Sequence, residues 1–155
     1  MTTELASAQK VMKRWKMHRN ALLELVAVLP ESGGSWRPWD GAMTTVELVH
    51  HLAMTPDFFF SAIEERDMIV PPVPSTLAEA RELLNRLTEE HERKLASYTE
   101  ADLRLEATIP AFRVTEPIEE VLHRLIGHEA HHKGQLFVYV RMLGAVPPFY
   151  TDLTV

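Results

Sequence analysis

The chain has 155 residues, 46% hydrophobic and 25% charged, a size and balance that let one domain, residues 1–155, bury a core without staples. It contains no cysteine, which excludes disulfides, thiolate metal ligands and a cysteine nucleophile, so any thiol chemistry needs a bound small molecule. A net charge of −6 argues against general nucleic-acid binding, and no apolar run approaches the ~20 residues that span a bilayer.

The N-terminal stretch lacks the apolar core of a signal peptide, and a cytoplasmic location is expected. The first helix is predicted over residues 4–29, where Val11, Trp15, Leu22, Leu25, Val26 and Leu29 recur at three- and four-residue spacing. Lys10, Lys13, Arg14, Lys16 and Arg19 read as its solvated face. Pro30 and the turn Ser32, Gly33, Gly34 stop it. A second helix begins near Thr44, with Glu47 as its capping partner, and runs to Ile63 with a bend at Pro56. The run Pro71, Pro72, Val73, Pro74 closes it. A third helix extends from Ser75 or Thr76 to about Tyr98, with the stripe Leu77, Ala80, Leu84, Leu87, His91 and Leu95.

Residues 100–114 do not read as helix. Leu103, Leu105, Ala107 and Ile109 alternate with polar residues, which suits a short extended piece. The fourth helix opens near Thr115, has Pro117 in its first turn and ends at Gly144. The whole pattern is all-α: a four-helix bundle of antiparallel helices with a longer connection between the third and fourth.

Eight histidines are present, and His123, His128, His131 and His132 crowd into ten residues of the fourth helix. At ~100° per residue, His132 lies roughly 30° and His128 roughly 70° from the centre of that helix's apolar face, while His131 and His123 lie roughly 130° and 150° away. On the second helix His51 falls about 75° from the apolar centre and His50 points away. Read in the simplest way, His91 is a hydrogen-bonded core residue. His18, His50, His123 and His131 are solvated or loosely paired. Three inward-facing imidazoles are different, because burying them together requires a proton, a carboxylate or a metal to organise them. His51, His128 and His132 are therefore the candidate ligands of one divalent ion.

The stretch 128–135, His-Glu-Ala-His-His-Lys-Gly-Gln, followed by Tyr139, Arg141, Leu143 and Gly144, resembles the signature of the DinB-like family. Residues 45–53, Thr-Val-Glu-Leu-Val-His-His-Leu-Ala, resemble that family's second motif. Trp15 to Pro30 and Arg37–Pro38 resemble its first helix and loop. The resemblance spans about residues 10 to 145. It implies the bundle shared by DNA-damage-inducible proteins, bacillithiol transferases and mycothiol-dependent isomerases, often dimeric. In this sequence the family's ligand positions become His51, His128 and His132. The doubled His50–His51 departs from the commonest form and keeps His50 as the alternative ligand.

Three imidazoles would leave a divalent ion, zinc or nickel, with an open position. There it would activate water for hydrolysis, or hold a low-molecular-weight thiol co-substrate as thiolate for transfer to an electrophile. The function expected is that of a metal-dependent hydrolase or thiol transferase acting on a small molecule. The alternative is a non-catalytic, stress-related metal-binding protein or a structural bundle. Gln135, one turn beyond His132, is the candidate for orienting a ligand imidazole or bound water. Glu129 and Glu47 are candidate acceptors behind the ligands, with Glu47 explained more economically as a helix cap. Phe58, Phe59, Phe60, Trp36 and Trp39 read as packing, with a subset available to wall a pocket. A homodimer is expected from the resemblance; no nucleic-acid or membrane partner is.

Overall fold

The computed structural model describes residues 6–155, so the expected helix start at Glu4 lies outside the described residues. Helix α1 is Ser7–Ala27, and the Gln9 side chain accepts a hydrogen bond from the Ala6 N–H at its start. A single 3-10 turn, Glu31–Gly33, follows in the loop. Helix α2 is Thr45–Met54 and opens with the reciprocal cap expected: Thr44 N–H donates to Glu47 Oε2 at 2.6 Å, and Glu47 N–H to Thr44 Oγ1 at 3.2 Å.

Pro56 does more than bend the second helix. It cannot donate to the Leu52 carbonyl, and the helix divides at Thr55 into α2 and a separate α3, Pro56–Ile63. Thr55 bridges the break by donating from both N–H and hydroxyl to the His51 carbonyl, at 3.1 and 2.8 Å. Helix α4 is Leu77–Ala96.

The connection after α4 is richer than the sequence suggested. Residues Glu100–Leu103 form one helical turn, α5, because Thr99 and Asp102 cap each other. An antiparallel hairpin follows, β1 Glu106–Ile109 against β2 Val114–Pro117, with Thr108 opposite Thr115. The alternation at Ala107 and Ile109 is the buried face of β1. The fourth long helix, α6, is Ile118–Met142 rather than starting at Thr115, because residues 114–117 are held extended by pairing with β1. Among the described residues no helix is long and apolar enough to cross a membrane.

The four long elements pack as a bundle: α1 lies against α4 and α6, and α2 lies against the same two. Side-chain pairs give the directions. Lys16 meets Glu92, Arg19 meets Thr88 and Arg81 meets the Val26 carbonyl, so α1 and α4 are antiparallel. Tyr139 meets Met43 and His132 meets His51, so α2 and α6 are antiparallel too. The chain thus runs up, down, down, up. Two consecutive downward helices require a return path, which residues 64–76 supply. The prolines at 71, 72 and 74 suit a segment that crosses without a ladder of backbone hydrogen bonds.

The core has two apolar clusters. One joins Leu22, Leu25, Leu48, Leu52, Leu77, Leu84, Leu136 and Val140; the other joins Trp15, Phe59, Phe60, Leu95, Ile109, Val121, Leu122 and Leu125. Each fully buried leucine contributes about 1.5–3 kcal/mol by leaving water. Between the clusters runs a polar belt: Arg19 from α1, His51 from α2, Thr88 from α4, and His128, Glu129, His132 and Lys133 from α6.

Candidate metal centre

His51, His128 and His132 meet in this belt, each half-buried, with one ligand nitrogen apiece lying within 4.8 Å of the others. Two of them share a face of α6 because four residues advance an α-helix by little more than one turn. The third comes from α2, which runs antiparallel beside it. Ring centroids are 4.4 Å apart for His128 and His132, 4.3 Å for His51 and His132, and 5.2 Å for His51 and His128. His51 Nε2 and His132 Nε2 are 3.0 Å apart.

This donor set fits a divalent cation. Bond lengths of ~2.0–2.1 Å in a tetrahedral site set ligand nitrogens about 3.3 Å apart; the His51–His132 pair at 3.0 Å is close to that, and the His128 nitrogen lies within 4.8 Å of both. The tautomers fit as well. Gln135 Oε1 lies 2.7 Å from His132 Nδ1 and can only accept, so the proton sits on Nδ1 and Nε2 presents a lone pair toward His51. Burial first, then the neighbouring imidazoles, pushes both His51 and His128 down to about 4. Both are neutral at pH 7, the state in which imidazole is a ligand. The cluster contains no carboxylate.

The other histidines fall elsewhere. His131 is exposed beside His132, with ring centroids 4.8 Å apart, and His123 lies 3.9 Å from Glu119. His50, read from the sequence as solvated or loosely paired, is buried and paired. The crossover covers it, and its Nε2 lies 2.8 Å from the Pro71 carbonyl. Helix periodicity placed it on the outer face of α2; the return segment that packs there could not be read from that helix alone. His91 is a core residue packed against Phe60, but its Nδ1 has no hydrogen-bond partner. His18 is half-buried and lies 3.0 Å from Lys133 Nζ.

Glu129 does not support a ligand histidine. Its carboxylate takes two hydrogen bonds from Arg19, which is fully buried rather than part of a solvated basic face. Arg19 Nη1 also donates to Thr88 Oγ1 at 3.0 Å, so one guanidinium ties α1, α4 and α6 together. Lys133 is buried too, donating to the Tyr150 carbonyl of the C-terminal segment. The signal for both was present: one residue adds ~100°, which places Glu129 as near the apolar centre of α6 as His132, on its other side. Glu47 is committed to its cap. The aromatic residues divide: Phe59 and Phe60 are buried, Trp36 packs edge-on against Tyr139, and Trp39 is exposed. Phe59 stands 6.0 Å from His128, and Phe112 at the hairpin tip stands 6.3 Å from Phe59.

A four-helix bundle with three histidines converging from two antiparallel helices defines a class of candidate metalloproteins. The sequence matches the DinB superfamily over residues 14–136, and the chain belongs to that family. It is 30% identical over 152 residues to the uncharacterized protein YjoA of Bacillus subtilis, covering 94% of this chain and 97% of that one. The crystal structure of YjoA superposes with a TM-score of 0.77 at 28% identity, covering 94% of this chain and 99% of that one. A DinB-like protein from Bacillus cereus superposes with a TM-score of 0.80 at 20% identity, over 90% and 95% of the two chains. YfiT from Bacillus subtilis, described as a probable metal-dependent hydrolase with an unusual four-helix bundle topology, superposes at 0.67 with 18% identity, over 93% and 92%. The last two show the fold.

Proposed function

We propose that this protein is a metal-dependent enzyme of hydrolase type that holds one divalent ion, zinc or nickel, on His51, His128 and His132 and acts on a small molecule. The convergence of three ligand nitrogens within 4.8 Å carries the reading. The description of YfiT supports it by kinship of fold. A divalent ion held there would supply Lewis acidity, lowering the pKa of a bound water or holding a thiol as thiolate.

The chain's own residues set the conditions. His51 and His128 are kept neutral by burial, so no proton competes for their lone pairs at pH 7. Gln135 accepts the Nδ1 proton of His132 and fixes the orientation of that ring. Arg19 neutralises Glu129, which keeps the adjacent carboxylate out of the cluster. Phe59 closes the side of His128 toward the hairpin.

A second reading is transfer of a low-molecular-weight thiol to an electrophile. The complete lack of cysteine supports it to this extent: a thiol nucleophile would have to arrive as co-substrate. Zinc- and nickel-loaded protein should be assayed against an activated ester or amide, and against an activated aryl halide with added thiol. Turnover that disappears in the variant with His51, His128 and His132 replaced by alanine supports the enzyme reading. Stoichiometric metal with no turnover in either assay would replace it with a metal-binding role.

A further inference from the structure

On the opposite side of α6 from the histidine cluster lies an open cleft of about 630 Å³, unconnected with the proposed chemistry. Its lining includes His18, Lys133, Phe137, Arg141, Phe149 and Tyr150. Three of these side chains are basic and none of the residues lining the cleft is acidic. Lys133 is 3% exposed. A buried cation ordinarily has a carboxylate against it. Lys133 has the Tyr150 carbonyl and His18 Nδ1 instead, both neutral acceptors. Glu129, the nearest carboxylate on α6, favours the charged lysine from a distance but is hydrogen-bonded to the Arg19 fork instead.

Lys133 has three N–H donors, and these two acceptors leave one uncommitted. His18, accepting through Nδ1, carries its own proton on Nε2. Arg141, two turns along α6 from Lys133, stacks over the Phe137 ring at 5.6 Å and forms no ion pair with any described carboxylate. Phe137, Pro148, Phe149 and the Tyr150 ring supply apolar walls, with Phe149 63% and Tyr150 59% exposed. A buried lysine with no carboxylate in hydrogen-bond contact and an exposed arginine with no ion pair among the described residues, both lining an aromatic cleft, suit a ligand with an anionic head and an apolar body.

We infer that this cleft binds small organic acids, the carboxylate meeting Lys133 and Arg141 and the apolar body lying between Phe137 and Phe149. The site is separate from the histidine cluster. On the α6 wheel Lys133 and Arg141 fall ~100° or more from His132, on the side facing α1 and the C-terminal segment.

The test is calorimetric titration of the full chain with benzoate, and with benzamide as its uncharged match. Benzoate is expected to bind at least roughly tenfold more tightly, as a charge-assisted contact gives. Lys133→Met and Arg141→Ala should each weaken benzoate roughly tenfold while leaving benzamide unchanged. Arg141 is exposed, so its variant tests the claim even if the Lys133 variant fails to fold. Replacing His51, His128 and His132 by alanine should leave benzoate binding intact, whatever becomes of the metal reading. Equal affinity for the two probes, no heat with benzoate, or an Arg141 variant that binds benzoate as the parent does would overturn the inference. So would loss of benzoate binding in the triple-histidine variant, which would assign the anion to the metal centre.

Discussion

Arg19 donates two hydrogen bonds to Glu129, from Nε to Oε1 at 2.7 Å and from Nη2 to Oε2 at 2.9 Å, with both side chains almost wholly out of water. The pair sits one residue from His128, at the level where the two apolar clusters part. Replacing Glu129 by alanine would leave a guanidinium buried without a counter-charge, at a cost of about 3–5 kcal/mol in urea unfolding. The double change Arg19→Met with Glu129→Leu should recover most of that loss. The reverse order, with the double variant less stable than the single, would contradict a simple charge-pair account.

Gln135 touches the histidine cluster through His132, whose Nδ1 lies 2.7 Å from its Oε1. Its Oε1 fixes the Nδ1 proton, and Gln135→Ala should weaken metal binding about 10- to 100-fold in competition with a chelator. Urea stability of the metal-free protein should be unchanged, because Gln135 is exposed. An unchanged metal affinity would reduce Gln135 to a surface amide.

The two neighbouring histidines of α2 have separable roles. His50 ties the crossover through the Pro71 carbonyl, and His50→Ala should cost about 1–2 kcal/mol of stability while metal stoichiometry stays at that of the parent. His51→Ala should do the opposite, with little effect on the metal-free fold and a loss of metal. Metal content and urea midpoints of the two single variants decide between the ligand assignments.

His91 gives the fold a pH dependence. Burial, then Arg19, pushes its pKa down to about 3, with Asp57 opposing; Phe60 packs against the ring, and Nδ1 has no partner. An unfolded histidine titrates near 6.5, so between about pH 6.5 and 3 the unfolded chain holds the extra proton. The contribution of His91 is therefore full above that window and declines as pH falls through it, by about 2 kcal/mol at pH 5. His91→Phe should flatten this part of the stability profile. The parent-minus-variant difference between pH 7 and 5 isolates it from the other histidines.

How much of this was legible in the sequence follows from where each signal resides. Periodicity within one helix located α1, α4 and α6 and separated His128 and His132 from His131 and His123. Capping chemistry placed the start of α2 at Thr44. What lay beyond reach depended on a second segment. The burial of His50 is made by residues 64–76 crossing its helix, and that of Arg19 by Glu129, 110 residues away. The hairpin claimed residues 114–117 from α6 because strand pairing outweighs a helix start that Pro117 would have tolerated. Glu129 reads from the sequence as an acceptor behind the ligands and Lys133 only as part of the motif, although the wheel turns both toward the core. Only the neighbouring helix and the C-terminal segment show what each meets there.

The central claim is the metal centre, and metal content of tag-free protein by mass spectrometry tests it most directly, measured beside the variant with His51, His128 and His132 replaced by alanine. The account predicts close to one zinc or nickel per chain in the parent and none in the variant. A parent that takes up no metal after incubation with either ion, or a variant that keeps it, would contradict the account.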